Sequence, residues 1–189
     1  MNKILPPDFT IEKYGLFARF VEENDAEFIV KLRTNPVLGK YIHSTDNDIE
    51  KQKQWIKEYK IRERAGEDYY FIFLKDGEPV GLNRMYHIHD KTFTTGSWIF
   101  KPRIPFECCV IASIIVRELA FEYLELDYEH AFDGVHVENK KVIKFNHMMG
   151  LKDLSLHEDV KGTYIEQSLT KEDFEKNKTR MLKLIGIKQ

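Results

Sequence analysis

"GSWIFKPRIPFECCVIASIIVRELAFEYLELDY", residues 96–128, decides the fold. Its first residues close a run, "TFTTGSWIFK" (92–101), rich in β-branched and aromatic residues, which reads as a strand. From Phe106 to Glu125 the chain is apolar nearly all round, with Ser113, Arg117, Glu118, Glu122 and Glu125 as a thin polar edge. A helix of that kind lies buried against a sheet. "YEHAFDGVHV" (128–137) is a strand again. Strand, helix and strand at this spacing imply a parallel pair joined by a right-handed crossover. The junction between the first strand and the helix raises a chemical question. A helix start offers free N–H groups and positive dipole charge, which suits a phosphate. Such grips use glycine to bring the backbone close, whereas this one carries Pro102, Arg103, Pro105 and Glu107.

Outward from this unit, "YGLFARFV" (14–21) reads as a first strand. "NDAEFIVKLRTN" (24–35) is a helix with Asn24 or Asp25 as cap, ended by Pro36. "STDNDIEKQKQWIKEYKIRERAG" (44–66) is a surface helix capped within Ser44 to Asp46 and stopped at Gly66. Three meander strands follow: 68–75, apolar throughout and so buried on both faces; 80–89, with Gly81 at a bulge; and 92–101. After the crossover, "NKKVIKFNHMMG" (139–150) is a short helix with Asn139 as cap and Gly150 as stop. "LKDLSLHE" and "TYIEQSLT" form a closing hairpin, and the tail is helical. The expected fold is α/β: a single mixed, mostly antiparallel sheet with a central parallel strand pair and helices on both faces.

With 189 residues, the whole chain, 1–189, is expected to form one domain. Aromatic residues make up 13%, so the core should be bulky. The net charge of −2 gives no electrostatic case for a nucleic-acid partner. No run approaches the ~20 apolar residues of a membrane span. Cys108 and Cys109 are adjacent, so they offer neither a disulfide framework nor a zinc site, and a cytoplasmic setting is expected. At the start of a buried helix they are either small packing residues or, through the dipole, activated thiols.

Four stretches carry a resemblance: "KLRTNPVLGKYI", "DGEPVGLNRMY", the long stretch from Gly96, and "VENKKVIKFNHMMGLKD". Together they resemble the GCN5-related N-acetyltransferase (GNAT) superfamily over residues 14–169, and within it the ribosomal-protein alanine and amino-sugar acetyltransferases. The resemblance implies a parallel pair splayed into a V that holds acetyl-CoA as co-substrate. It implies that the backbone of Trp98, Ile99 and Phe100 pairs with the pantetheine. The pyrophosphate would sit on loop 101–107, and Asn139 would contact the coenzyme. Pro105 has no N–H to give, and Glu107 adds negative charge, so Lys101 and Arg103 are expected to hold the phosphates by side-chain charge. Where many members place a general-acid tyrosine, this chain has Asn146, which donates a hydrogen bond but not a proton.

Acyl transfer to an amine needs a neutral amine, which a base near pKa ~7 helps to supply, an oxyanion donor and in-line positioning. His87, His89 and His136 are the candidate bases, with Tyr86 and Asp133 nearby; His136 is preferred because it ends the strand flanking the coenzyme. His87 and His89 share a strand face but lack a third ligand beside them, so no metal is expected. Arg33 either reaches the acceptor site or faces water. The expected reaction is direct transfer of acetyl to a primary amine, of a small molecule such as an amino sugar or of a protein N-terminus. The alternative is a degenerate module that binds a ligand or partner. The acceptor, the acyl chain length and the oligomeric state, a homodimer included, stay open.

Overall fold

The computed structural model describes residues 3–187. The chain enters through a hairpin of β1 (Thr10–Lys13) and β2 (Leu16–Phe20), turning at Tyr14 and Gly15, both left-handed (φ 56° and 72°). β2 is the expected first strand, while β1 lies outside it, a half-exposed edge strand whose "TIEK" carries little apolar signal.

A short 3₁₀ turn leads into α1 (Ala26–Arg33). Asp25 does not cap α1 as expected. Its carboxylate accepts the Glu22 N–H at 2.7 Å and two N–H groups of Arg19 at 2.7 and 2.9 Å. The next helix, α2 (Ile49–Ala65), starts later than the sequence suggests, because Asp48 accepts the Lys51 N–H at 3.0 Å and fixes its N-terminus. Gly66 ends it in the left-handed conformation (φ 76°), as expected. Residues 34–48 are an irregular loop.

The meander is β3 (Tyr69–Lys75), β4 (Glu78–His89) and β5 (Thr92–Phe100). The β3–β4 ladder slips beside Gly81, as expected, and Gly81 has a second role. The Phe100 ring lies against it so closely that a Cβ would sit 1.9 Å from Phe100 Cδ1. Then come α3 (Phe106–Glu118), β6 (Tyr128–His136), α4 (Lys140–Met149), β7 (Lys152–Asp159), β8 (Gly162–Thr170) and α5 (Lys171–Leu184). α3 runs on into a π-helical turn, Leu119–Tyr123.

The eight strands form one sheet in the order β1-β2-β3-β4-β5-β6-β8-β7, in which β5–β6 is the parallel pair. Helices cover both faces. On one, Ile29, Ile56 and Tyr59 of α1 and α2 pack on Tyr70 and Ile72. On the other, Ile111, Phe121 and Phe174 pack with Phe71 and Phe93. Each buried aromatic ring contributes roughly 1.5–3 kcal/mol. The polar edge expected on the buried helix is corrected here: Ser113, Arg117 and Glu118 are themselves buried. Glu118 is held by Lys13 Nζ at 2.7 Å and Tyr14 Oη at 2.9 Å. No helix among the described residues is long and apolar enough to cross a membrane.

Candidate active site

β5 and β6 pair only at Thr92–Tyr128 and Phe93–Glu129, then part. The fork is held by side chains. Thr94 Oγ1 donates to the His130 carbonyl at 2.6 Å. The buried Glu129 carboxylate accepts Arg117 Nε–H at 2.7 Å and an Nη2–H at 2.8 Å, and the Thr95 hydroxyl at 2.6 Å. Arg117 also donates to the Ser113 hydroxyl. Beyond the fork, the β6-facing edge of β5 has no strand partner among the described residues, which leaves its backbone groups free to pair with an added strand-like ligand.

Both strands bend where they part. β5 bulges between Gly96 and Ile99, with Ser97 in the left-handed region (φ 49°). Ser97 Oγ accepts an N–H of Arg33 at 2.8 Å, and Arg33 also donates to Thr45 Oγ1 at 2.5 Å and the His43 carbonyl at 2.9 Å. Arg33 therefore ties the 34–48 loop to the bulge instead of facing water. β6 bulges between Ala131 and Val135, where Gly134 is left-handed (φ 66°). That bulge carries Asp133 toward β4, where it accepts the Tyr86 hydroxyl at 2.8 Å. Burial, then the Asp133 charge, raises the Tyr86 phenol well above its ordinary pKa, so it is a hydrogen-bond donor and not a base.

The gap opens into one continuous cavity of about 2030 Å³. Single-ligand pockets are typically ~300–1,000 Å³, so this one has room for two substrates. Trp98, His136, Asn139 and Asn146 line it. Trp98 stacks on Phe145 at 4.4 Å and donates its indole N–H to the Cys109 carbonyl at 3.1 Å, so its ring forms part of the wall. Ile99 and Phe100 bury their side chains in the two cores, leaving only main chain for the gap. Lys101 and Arg103 sit on the loop after β5, outside the cavity lining, and neither pairs with a carboxylate among the described residues.

Several expectations change. Asn139 occupies the N-cap position of α4, but its side chain makes no capping hydrogen bond. Asn146 donates to Gln167 Oε1 at 2.7 Å, and Gln167 donates onward to Asp153 at 2.7 Å. His136 Nδ1 accepts the Glu138 N–H at 3.1 Å, so in the neutral ring the proton sits on Nε2 and no lone pair is free to take another. Burial raises both thiols, that of Cys109 to about 12, so they pack and are not activated. Tyr41, Tyr164 and the Arg117–Glu129 pair were not singled out as site residues. The pair had a signal: a charge in a strand of a parallel pair, buried on both faces, with another on a helix buried above it.

The open edge of β5, the aromatic wall and the roomy cavity fit a coenzyme A thioester beside a second substrate. The chain matches the family model "Acetyltransferase (GNAT) domain" over residues 16–152. Among solved structures it is similar to apo FdhC, described as a nucleotide-linked sugar GNAT, at 34% identity and TM-score 0.81, covering 95% of this chain and 99% of that one. RimJ of Mycobacterium smegmatis in complex with CoA-disulfide shares the fold at 16% identity and TM-score 0.76, covering 90% and 89%. So does the ribosomal-protein-S5-alanine acetyltransferase of Vibrio fischeri at 14% and 0.74, covering 88% and 99%. No curated protein sequence matches the chain. A family model that spans most of the chain, a relative alike from end to end, and a sheet whose parallel pair forks beside a roomy cavity lead to one conclusion: this chain belongs to the GNAT acetyltransferases, enzymes that move acetyl from acetyl-CoA to an acceptor amine.

Proposed function

We propose that the chain acts as a single domain that acetylates the primary amine of a nucleotide-linked amino sugar. The observation that carries this reading is the wall of the cavity away from the fork. Four rings follow one another there: Tyr41 to His136 at 5.2 Å, His136 to Tyr164 at 5.2 Å, and Tyr164 to His157 at 5.5 Å. Lys40, Lys140, Lys141 and Lys161 line the same cavity. Aromatic faces accept a nucleobase, and lysines neutralise a diphosphate. The full-length likeness to a nucleotide-linked sugar GNAT supports the same choice. The ribosomal-protein enzymes share only the fold, so a protein N-terminus is the weaker acceptor.

In this reading the coenzyme's pantetheine pairs with the open edge of β5 at Trp98 to Phe100. Lys101 and Arg103 meet the pyrophosphate, and Asn139 meets the coenzyme from the α4 side. Asn146, with one N–H spent on Gln167, keeps a second with which to steady the leaving thiolate. A thiol of pKa ~8.5 needs no stronger help to leave.

The test has two parts. Calorimetric titration with coenzyme A at low and high salt should show binding that weakens with salt and with Arg103→Ala, and strengthens with Glu107→Gly. Thiol release from acetyl-CoA should then be followed with uridine- and thymidine-diphosphate amino-hexoses, and with free amino-hexoses and N-terminal peptides. Turnover with peptides alone would overturn the acceptor proposed here.

A further inference from the structure

We propose that Asp133 receives the acceptor's ammonium group and takes its first proton, and that Tyr86 positions it. This assignment rests on the amine-acetylating reading above. Three independent features of the backbone bring these two groups together. The β6 bulge, with Gly134 left-handed, throws Asp133 out of the β6–β8 ladder. Gly96 of β5 has no side chain, and the Tyr86 ring takes its place: a Cβ there would lie 3.0 Å from both Tyr86 Cε1 and Oη. The β4–β5 ladder breaks just beyond Tyr86, where His87 is left-handed (φ 52°). Strain of this kind in a non-glycine residue costs ~1–3 kcal/mol and persists where surrounding structure imposes it. Tyr86 thus reaches from β4 across β5 to β6, and its hydroxyl meets Asp133 at the open end of the fork.

The chemistry of the carboxylate follows. Asp133 is exposed to the cavity, and among the described residues no lysine, arginine or histidine pairs with it. Tyr86 occupies Oδ2, which leaves Oδ1 for a cation. An anion with no cationic partner among the described residues, fixed by a hydrogen bond beside the gap, suits a substrate ammonium. His136, three residues on, has its Nδ1 lone pair committed to Glu138 and cannot serve in the same way. The proton balance is complete. The ammonium gives one proton to Asp133, which passes it to solvent. The nitrogen lone pair forms the C–N bond to the thioester carbonyl, and the C–S bond breaks with its electron pair on sulfur. The proton lost from nitrogen as the amide forms neutralises the thiolate.

The experiment compares the parent, Asp133→Asn and Tyr86→Phe. Each is assayed for acetyl transfer to uridine- and thymidine-diphosphate amino-hexoses bearing the amine at C3 or C4. Each is also titrated, with coenzyme A present, with those sugars and with their hydroxyl counterparts. Asp133→Asn should lower kcat/KM at least 100-fold and abolish the preference for amine over hydroxyl, with affinity for the hydroxyl sugar unchanged within twofold. Tyr86→Phe, which keeps the ring over Gly96, should raise KM for the amine about tenfold with a smaller change in kcat. If Asp133→Asn keeps kcat/KM within threefold, or weakens amine and hydroxyl sugars alike, the assignment is wrong while the acetyltransferase reading stands. A parent that acetylates none of these amines overturns the acceptor reading, and this assignment with it.

Discussion

Replacing Glu129 by Gln tests what holds the fork of the sheet. Glu129 is 0% exposed and Arg117 3%, so neither charge has water to fall back on. The substitution keeps the shape and removes the charge that balances the guanidinium. Two Arg117 hydrogen bonds, at 2.7 and 2.8 Å, lose their charge assistance, and the Thr95 hydroxyl at 2.6 Å loses its carboxylate acceptor. Breaking one side of a buried pair costs roughly 3–5 kcal/mol, because the remaining charge is stranded. For a chain of this size each kcal/mol moves Tm by about 2–4 °C, so Tm should fall by about 10 °C. Urea denaturation should give the same loss at an unchanged m-value. The double variant Arg117→Met with Glu129→Leu should recover most of it, since no charge is left unpaired. A loss below about 1 kcal/mol in Glu129→Gln, or a double variant worse than the single, would refute the reasoning.

Gly81→Ala should destabilise by about 1–3 kcal/mol, because the new methyl meets the Phe100 ring in a packed core; thermal unfolding would measure it. Asn139→Ala should leave stability within about 0.5 kcal/mol of the parent, since its side chain caps nothing, while coenzyme A affinity falls; calorimetry with denaturation separates the two. Cys109, raised to about 12 by burial, should resist a disulfide reagent at pH 8 in the native protein and react within minutes in guanidinium. Fast native reaction at Cys109 would mean that the α3 N-terminus is open.

Local pattern made much of this protein legible. The strand–helix–strand unit from Gly96, the meander before it and the hairpin after it all lie where alternation, apolar runs and turn residues place them. Gly66, Gly81 and Gly150 were readable because each meets a backbone or packing demand that only glycine satisfies. Less visible was β1, whose four residues gain their strand character from pairing with β2 and not from their own apolar content. Caps misled twice. Asp25 turned to Arg19, and the Asn139 side chain was left without a helix N–H, since short polar side chains choose among partners that folding supplies.

The active site divides along the same line. The sequence by itself determined that a strand, a glycine-poor loop and an Asn-led helix exist, because each is a contiguous run with its own signature. Only the tertiary structure decided what faces what. Arg117 and Glu129 are twelve residues apart on different elements, yet share one buried ion pair. Arg33 reaches Ser97 across 64 positions, and Tyr86 reaches Asp133 across 47. The last two meetings depend on bulges in β5 and β6 that shift which side chains face the gap, and a bulge is set by the ladder as a whole. The order of elements is a local property of the chain, whereas the meeting of Tyr86 and Asp133 beside the gap is a property of the whole sheet.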